Sequence, residues 1–138
     1  MRDFIITVIL FVSAIAFCSC NGPYHDGIYE GRSQSKYTNE PFLGVVKIEI
    51  KKGYITSVEY KIIDTLANEV FDSNYEKHYP GNEKYIQQCR NDWKGVNIYP
   101  DNLLKMQDPG KLDAISGATW SCNIFKQSAF EALKKAKK

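Results

Sequence analysis

Residues 44–51 and 55–63 each alternate between apolar and polar positions, with a glycine-containing turn between them. In the first run Val46, Ile48 and Ile50 point one way, and Lys47, Glu49 and Lys51 the other. In the second, Val58, Tyr60 and Ile62 oppose Ser57, Glu59 and Lys61. Successive side chains of a strand leave opposite faces, so a period of two means extended chain with one buried face. Gly53, within Lys51-Lys52-Gly53-Tyr54, is able to take the positive φ of a tight turn. The two runs therefore predict a β-hairpin.

Material to cover its apolar face comes later in the chain. Phe125, Ala129, Ala132, Leu133 and Ala136 form one helical stripe, with Lys126, Glu131, Lys134 and Lys135 at its margin. Ser121 is the expected cap of this helix, which runs to about Lys137. A first strand is expected at Gly27–Ser33, where Gly27 and Gly31 permit a bulge or close backbone approach. Residues 64–82 read as an irregular or partly helical crossing. A helix is expected from Glu83 to Trp93, with Tyr85, Ile86, Cys89 and Trp93 at helical spacing. A second, short helix is expected after Pro100, using Leu103 and Leu104, and Pro109-Gly110 ends it. Strands first and helices later give an α+β fold: a hairpin-based antiparallel β-sheet packed with helices, closed by a C-terminal amphipathic helix. The 138 residues suffice for one such domain.

The start of the chain reads as an address. Residues 4–17 are one uncharged apolar run behind Arg2, shorter than the roughly 20 residues of a spanning helix. Cys18-Ser19-Cys20 follows, and an apolar run meeting a cysteine resembles a bacterial lipoprotein cleavage box. Ser19 is the small residue required before a lipidated cysteine, whereas Phe17 before Cys18 is not small. Cys20 is thus the expected lipidation site. Residues 1–20 form the signal peptide, 21–26 a short linker and 27–138 the domain. The protein is expected to be exported and lipid-anchored to a bacterial membrane through Cys20. Cys89 and Cys122 then remain, as a disulfide or as two buried thiols. No CxxC or HxxxH spacing favours a metal, and His25 and His78 stand alone. The net charge of +2 is spread along the chain and offers no broad field for nucleic acid. The tail Lys134-Lys135-Ala136-Lys137-Lys138 suits either a solvated helix end or acidic lipid.

Asp113-Ala114-Ile115-Ser116-Gly117-Ala118-Thr119-Trp120 lies directly before the last helix. Its small residues let backbone come close to a ligand. A helix N-terminus follows, whose free N–H groups favour an anion. Ser116 and Thr119 add hydroxyls and Trp120 a flat aromatic surface. Phosphate beside an aromatic ring describes a nucleotide, although an empty, Ser/Thr-rich helix cap has the same composition.

The run Asp113-Ala-Ile-Ser116-Gly117-Ala118-Thr119 resembles the flavinylation motif of the FMN-binding domain family, found in the C subunit of sodium-pumping NADH:quinone reductase and the G subunit of Rnf complexes. Asp26-Gly27-Ile28-Tyr29-Glu30-Gly31, the hairpin and the last helix are similar to that family as well. The resemblance implies flavin mononucleotide (FMN) as cofactor, joined by a phosphoester to Thr119. It also implies a separate flavin transferase that uses FAD and magnesium. Ser116, Gly117, Ala118, Asp113 and Trp120 are the further cofactor-binding candidates. Tyr79 and Trp93 are candidates to stack on the ring beside Trp120, and Arg90 or Lys94 to stabilise a reduced flavin. The expected role is electron carriage between partners the sequence does not name. No dinucleotide-binding glycine fingerprint accompanies it, so a stand-alone enzyme is not expected. Non-covalent FMN, or a flavin-free surface lipoprotein, is the alternative.

Overall fold

The computed structural model describes residues 20–34 and 40–138. The signal segment, including Cys18, lies outside them. Four strands form one antiparallel sheet in the order β1-β2-β3-β4: Gly27–Gln34, Phe42–Lys51, Tyr54–Asp64 and Glu69–Val70. Two helices cover it, α1 at Glu83–Met106 and α2 at Thr119–Ala136. The fold is α+β, as the patterning requires.

The hairpin is β2–β3. Lys52 and Gly53 both take positive φ, 53° and 77°, the geometry of a two-residue turn matched to strand twist. Val46, Ile48 and Ile50 are at most 1% exposed, while Lys47 and Lys51 face water. The apolar face of β1 and β2 lies under α2, whose Phe125, Ala129, Ala132 and Ala136 are fully buried. Each large apolar side chain so buried contributes roughly 1.5–3 kcal/mol.

The approach of α2 is unusually close. A Cβ on Gly31 would stand 1.9 Å from the Ser128 carbonyl oxygen, and one on Gly44 2.3 Å from an Ile124 methyl. Glycine on β1 therefore serves close backbone approach rather than a bulge.

The expected break after Trp93 does not occur. Helix α1 runs on for 24 residues with Pro100 inside it. A proline removes one helical hydrogen bond, here to the Val96 carbonyl. Burial of Val96, Tyr99 and Leu103 on both sides of it holds the helix together.

Residues 22–26 are tied down at one end of the molecule. The Gly22 amide donates to the Lys52 carbonyl (2.9 Å) and the His25 amide to the Ala136 carbonyl (2.8 Å). Tyr24 forms an isolated antiparallel bridge with Lys137. Cys89 and Cys122 are both free, buried thiols, one in each of two core clusters. Burial pushes both thiols up in pKa.

Candidate functional site

The turn 113–118 is shaped by α1. Four positions of that helix, Gln88, Asp92, Gly95 and Tyr99, follow one another at spacings of four, three and four, and so share a face. The Gln88 side-chain amide donates to the Gly117 carbonyl at 2.9 Å and to Asp92 Oδ2 at 2.6 Å. Asp92 Oδ1 accepts from the Ser121 amide (3.1 Å) and the Ser121 hydroxyl (2.8 Å). The Tyr99 hydroxyl donates to the Ala118 carbonyl (2.8 Å) and accepts from the Ile115 amide (3.1 Å). Gly95 leaves room for all of this, since a Cβ there would sit 2.7 Å from Ser121 Oγ and 3.0 Å from Ala118 Cβ.

Helix α2 consequently begins three residues earlier than expected, with its cap at 118 and not at 121. Ala118 is its cap residue, without a side-chain capping bond, and Thr119 is its first helical residue. Ser121 is the third, and does not cap. Its amide is satisfied by the carboxylate of Asp92, which supplies from another helix what a local Ser or Asp ordinarily supplies. Asp92 is 2% exposed. Burial raises its pKa despite the opposing bonds from Gln88 and Ser121.

Beside this turn lies a cavity of about 310 Å³, open to solvent. Six aromatic rings line it: Phe42, Phe71, Tyr75, Tyr79, Tyr85 and Trp120. Glu40, Gln88, Cys89 and Asp92 complete the wall. Tyr79 and Tyr85 stack with centroids 5.1 Å apart and planes 17° from parallel. Trp120 meets Phe42 edge-on at 5.0 Å, and its indole N–H donates to Glu40 at 2.8 Å. The Tyr75 hydroxyl donates to Asp64 at 2.6 Å. Burial pushes the Asp64 carboxyl up, but this bond and the amides of Leu66 and Ala67 outweigh it and hold its pKa low.

The sequence candidates fall into place unevenly. Thr119 is exposed at the helix start, and Asp113 and Ser116 are exposed on the turn. Gly117 has φ 80°, and a Cβ there would stand 2.5 Å from the Asn91 amide. Ala118 is fully buried and fixes the turn rather than facing solvent. Trp120 and Tyr79 line the cavity. Trp93 packs against the second core cluster and is not among the lining residues, and neither Arg90 nor Lys94 is. Arg90 is engaged by Glu76 through two bonds, 2.6 and 2.9 Å. The stripe is hidden by the expected boundaries, because a helix ending at Trp93 separates Gln88 and Asp92 from Gly95 and Tyr99. The stripe is visible once α1 is drawn through Pro100. Among the described residues no cluster of His, Cys, Asp and Glu could hold a metal ion.

The model of the FMN-binding domain matches residues 44–134, from the start of the hairpin almost to the end of α2. The chain belongs to the FMN-binding domain family. FMN is its cofactor. Two solved structures resemble it. A Clostridium perfringens protein known by crystal structure is 25% identical, with a TM-score of 0.58, 82% of this chain and 88% of that chain covered. A Clostridium thermocellum protein solved by solution NMR is also 25% identical, with a TM-score of 0.47, 80% of this chain and 90% of that one covered. No curated protein matches the sequence.

The residues present suit FMN. The aromatic cavity lies at the low end of small-molecule sites, which span roughly 300–1,000 Å³. It is fit for a flat ring system, with polar groups at Gln88, Asp92 and Glu40. Trp120 lines it and adjoins Thr119 in the chain, so the wall of the cavity continues into the helix start. Of the first amides of α2, that of Ser121 is taken by Asp92, and those of Thr119 and Trp120 lack intrahelical acceptors and favour a phosphate there.

Proposed function

We propose that the protein is an exported, lipid-anchored electron carrier with FMN bonded covalently at Thr119. The observation that carries the reading is the placement of the Thr119 hydroxyl: exposed, at the first position of α2, beside an aromatic-walled cavity. FMN, when bound, supplies one- and two-electron chemistry. The chain's own residues hold and shield it. Thr119 Oγ1 would provide the oxygen of the phosphoester; that bond would replace the pyrophosphate bond of FAD, with AMP as the leaving group and the hydroxyl proton released. The amides of Thr119 and Trp120, at the start of α2, would stabilise the phosphate charge that remains. The aromatic wall excludes water from the flat ring, with Tyr79, Tyr85 and Trp120 as the surfaces for stacking. Asp92 and Gln88 form the polar edge of the same wall. The apolar run before Cys20 supports export, and Ser19-Cys20 supports lipidation. A covalent bond suits an exported protein, because a lost cofactor has no cytoplasmic pool to replace it.

The test is mass spectrometry of protein co-expressed with a flavin transferase and then denatured. FMN mass on the peptide bearing Thr119, absent from Thr119→Ala, is expected. Flavin that remains in the supernatant after acid precipitation, or undiminished mass in Thr119→Ala, refutes the covalent bond.

A further inference from the structure

The same end of the molecule that holds residues 22–26 also gathers the tip of the hairpin and the end of α2. Gly22 is wedged against Gly53, where an added Cβ would lie 2.2 Å from the Gly53 carbonyl oxygen. The Gly53 amide donates to Asp26 Oδ1 at 2.8 Å, and the Lys138 ammonium to the Gly22 carbonyl at 2.9 Å. Between Cys20 and Gly22 there is only Asn21. Two residues of extended chain reach roughly 7 Å, so the leash from an acylated Cys20 is very short.

The cofactor end is the opposite one. Thr119 and Ala136 are the two ends of α2, and 17 residue steps at about 1.5 Å separate them by roughly 26 Å. The hairpin agrees independently. Its tip, Lys52-Gly53, is at the tether, whereas its open end pairs Phe42 with Asp64, and Phe42 lines the aromatic cavity. Two elements thus give the domain one long axis, with the leash at one end and the cavity at the other.

The tether end is basic. Lys51, Lys52, Lys137 and Lys138 are exposed there. Three carboxylates stand at the same end, Glu49 paired with Lys51 at 3.3 Å, Asp26 near Lys138 and Asp108 near Tyr24, so the four lysines leave a small positive excess of side-chain charge. Anionic headgroups attract such a cluster within about a Debye length of the surface.

We infer that the acylated protein stands end-on on an anionic bilayer, with the hairpin tip and the C-terminus of α2 against the headgroups and the Thr119 turn facing the aqueous phase. Its electron partner at the cavity is therefore water-borne, a soluble protein or small molecule, and not a quinone within the bilayer. The inference rests on lipidation at Cys20 and is independent of whether FMN is bonded.

Protein extracted from membranes of expressing cells is reconstituted into phosphatidylglycerol vesicles carrying a headgroup spin-label quencher. An unnatural fluorescent residue replaces Lys52 in one variant and Ser116 in another. Headgroup quencher is expected to dim position 52 several-fold more than position 116, and aqueous iodide to do the reverse. Equal quenching at both positions, or stronger headgroup quenching at 116, overturns the orientation. A protein mass without acyl chains on Cys20 overturns the lipidation reading and the orientation with it, so the two failures are told apart by one measurement. In the triple variant Lys51→Glu, Lys137→Glu, Lys138→Glu the contrast between positions 52 and 116 is expected to shrink at least two-fold. An undiminished contrast refutes the part assigned to anionic lipid.

Discussion

Asp92 and Thr119 sit on facing sides of one helix start and answer to different physics. Thr119 is exposed and its side chain makes no bond that shapes the fold. Thr119→Ala is therefore expected to leave urea stability within about 0.5 kcal/mol of the parent while abolishing covalent flavin. Asp92 is buried and carries three bonds. In Asp92→Asn only one side-chain oxygen is left to accept, so either Gln88 or Ser121 loses its partner, at an expected cost of about 1–2 kcal/mol in urea unfolding. The pH dependence separates this residue from a merely packed one. Burial raises its carboxyl, so the folded state holds the proton more tightly than the unfolded chain. Its contribution is fully present below the ordinary aspartate value of about 4 and is lost as pH rises through the raised folded value. Asp92→Asn lacks that decline, so the deficit of the variant is expected to be smaller at neutral pH than at about pH 4. A deficit that is constant with pH contradicts the buried carboxylate as its cause.

At the scale of elements, the contact between α1 and the start of α2 decides where the motif's hydroxyl is presented. Gly95 is the position that permits it. Gly95→Ala is helix-favouring in isolation, by up to about 1 kcal/mol. Its Cβ would nevertheless meet Ser121 Oγ, Tyr99 and Ala118 within 3.0 Å. Net destabilisation of roughly 1–3 kcal/mol is expected, together with reduced flavin loading by the transferase. A rise in thermal midpoint would show that the two helices yield without strain. Pro100 signals a helix boundary by local rules, but burial of Val96, Tyr99 and Leu103 outweighs one missing hydrogen bond. The hairpin and α2 were legible because their periodicities run unbroken. The first residues of α2 were not, because the group that satisfies the Ser121 amide lies 29 positions away, on another helix.

Across the whole molecule, acid acts on a dispersed set of carboxylates. Asp26, held chiefly by the amide of Gly53, is lowered in pKa, and so are Glu30 by Arg32, Glu69 by Lys77 and His78, and Glu76 by Arg90. Most of these are solvent-exposed pairs of small individual effect. Asp64 is the buried member, lowered because its bonds to Tyr75, Leu66 and Ala67 outweigh burial. A lowered carboxyl contributes stability that is present above its unfolded value, about 4, and is lost as pH falls through the folded value. Stability is thus expected to fall below about pH 4, with Asp64→Asn flattening that limb of an acid titration followed by circular dichroism. An unchanged limb would place the acid sensitivity elsewhere.

The amino-acid sequence by itself determined the sheet face, the covering helix, the glycine turn and the segment ending in Thr119. Each of these depends on residues within one or two turns of each other, where periodicity, steric freedom at glycine and a known motif act locally. The tertiary structure decided the rest. It set the aromatic wall, which draws Phe42, Phe71, Tyr85 and Trp120 from four separate stretches, and the Gln88-Asp92-Gly95-Tyr99 stripe that fixes the turn. It also placed residues 22–26 and the helix start at opposite ends. Those are relations between distant residues, created only when the elements pack, and no local pattern encodes them.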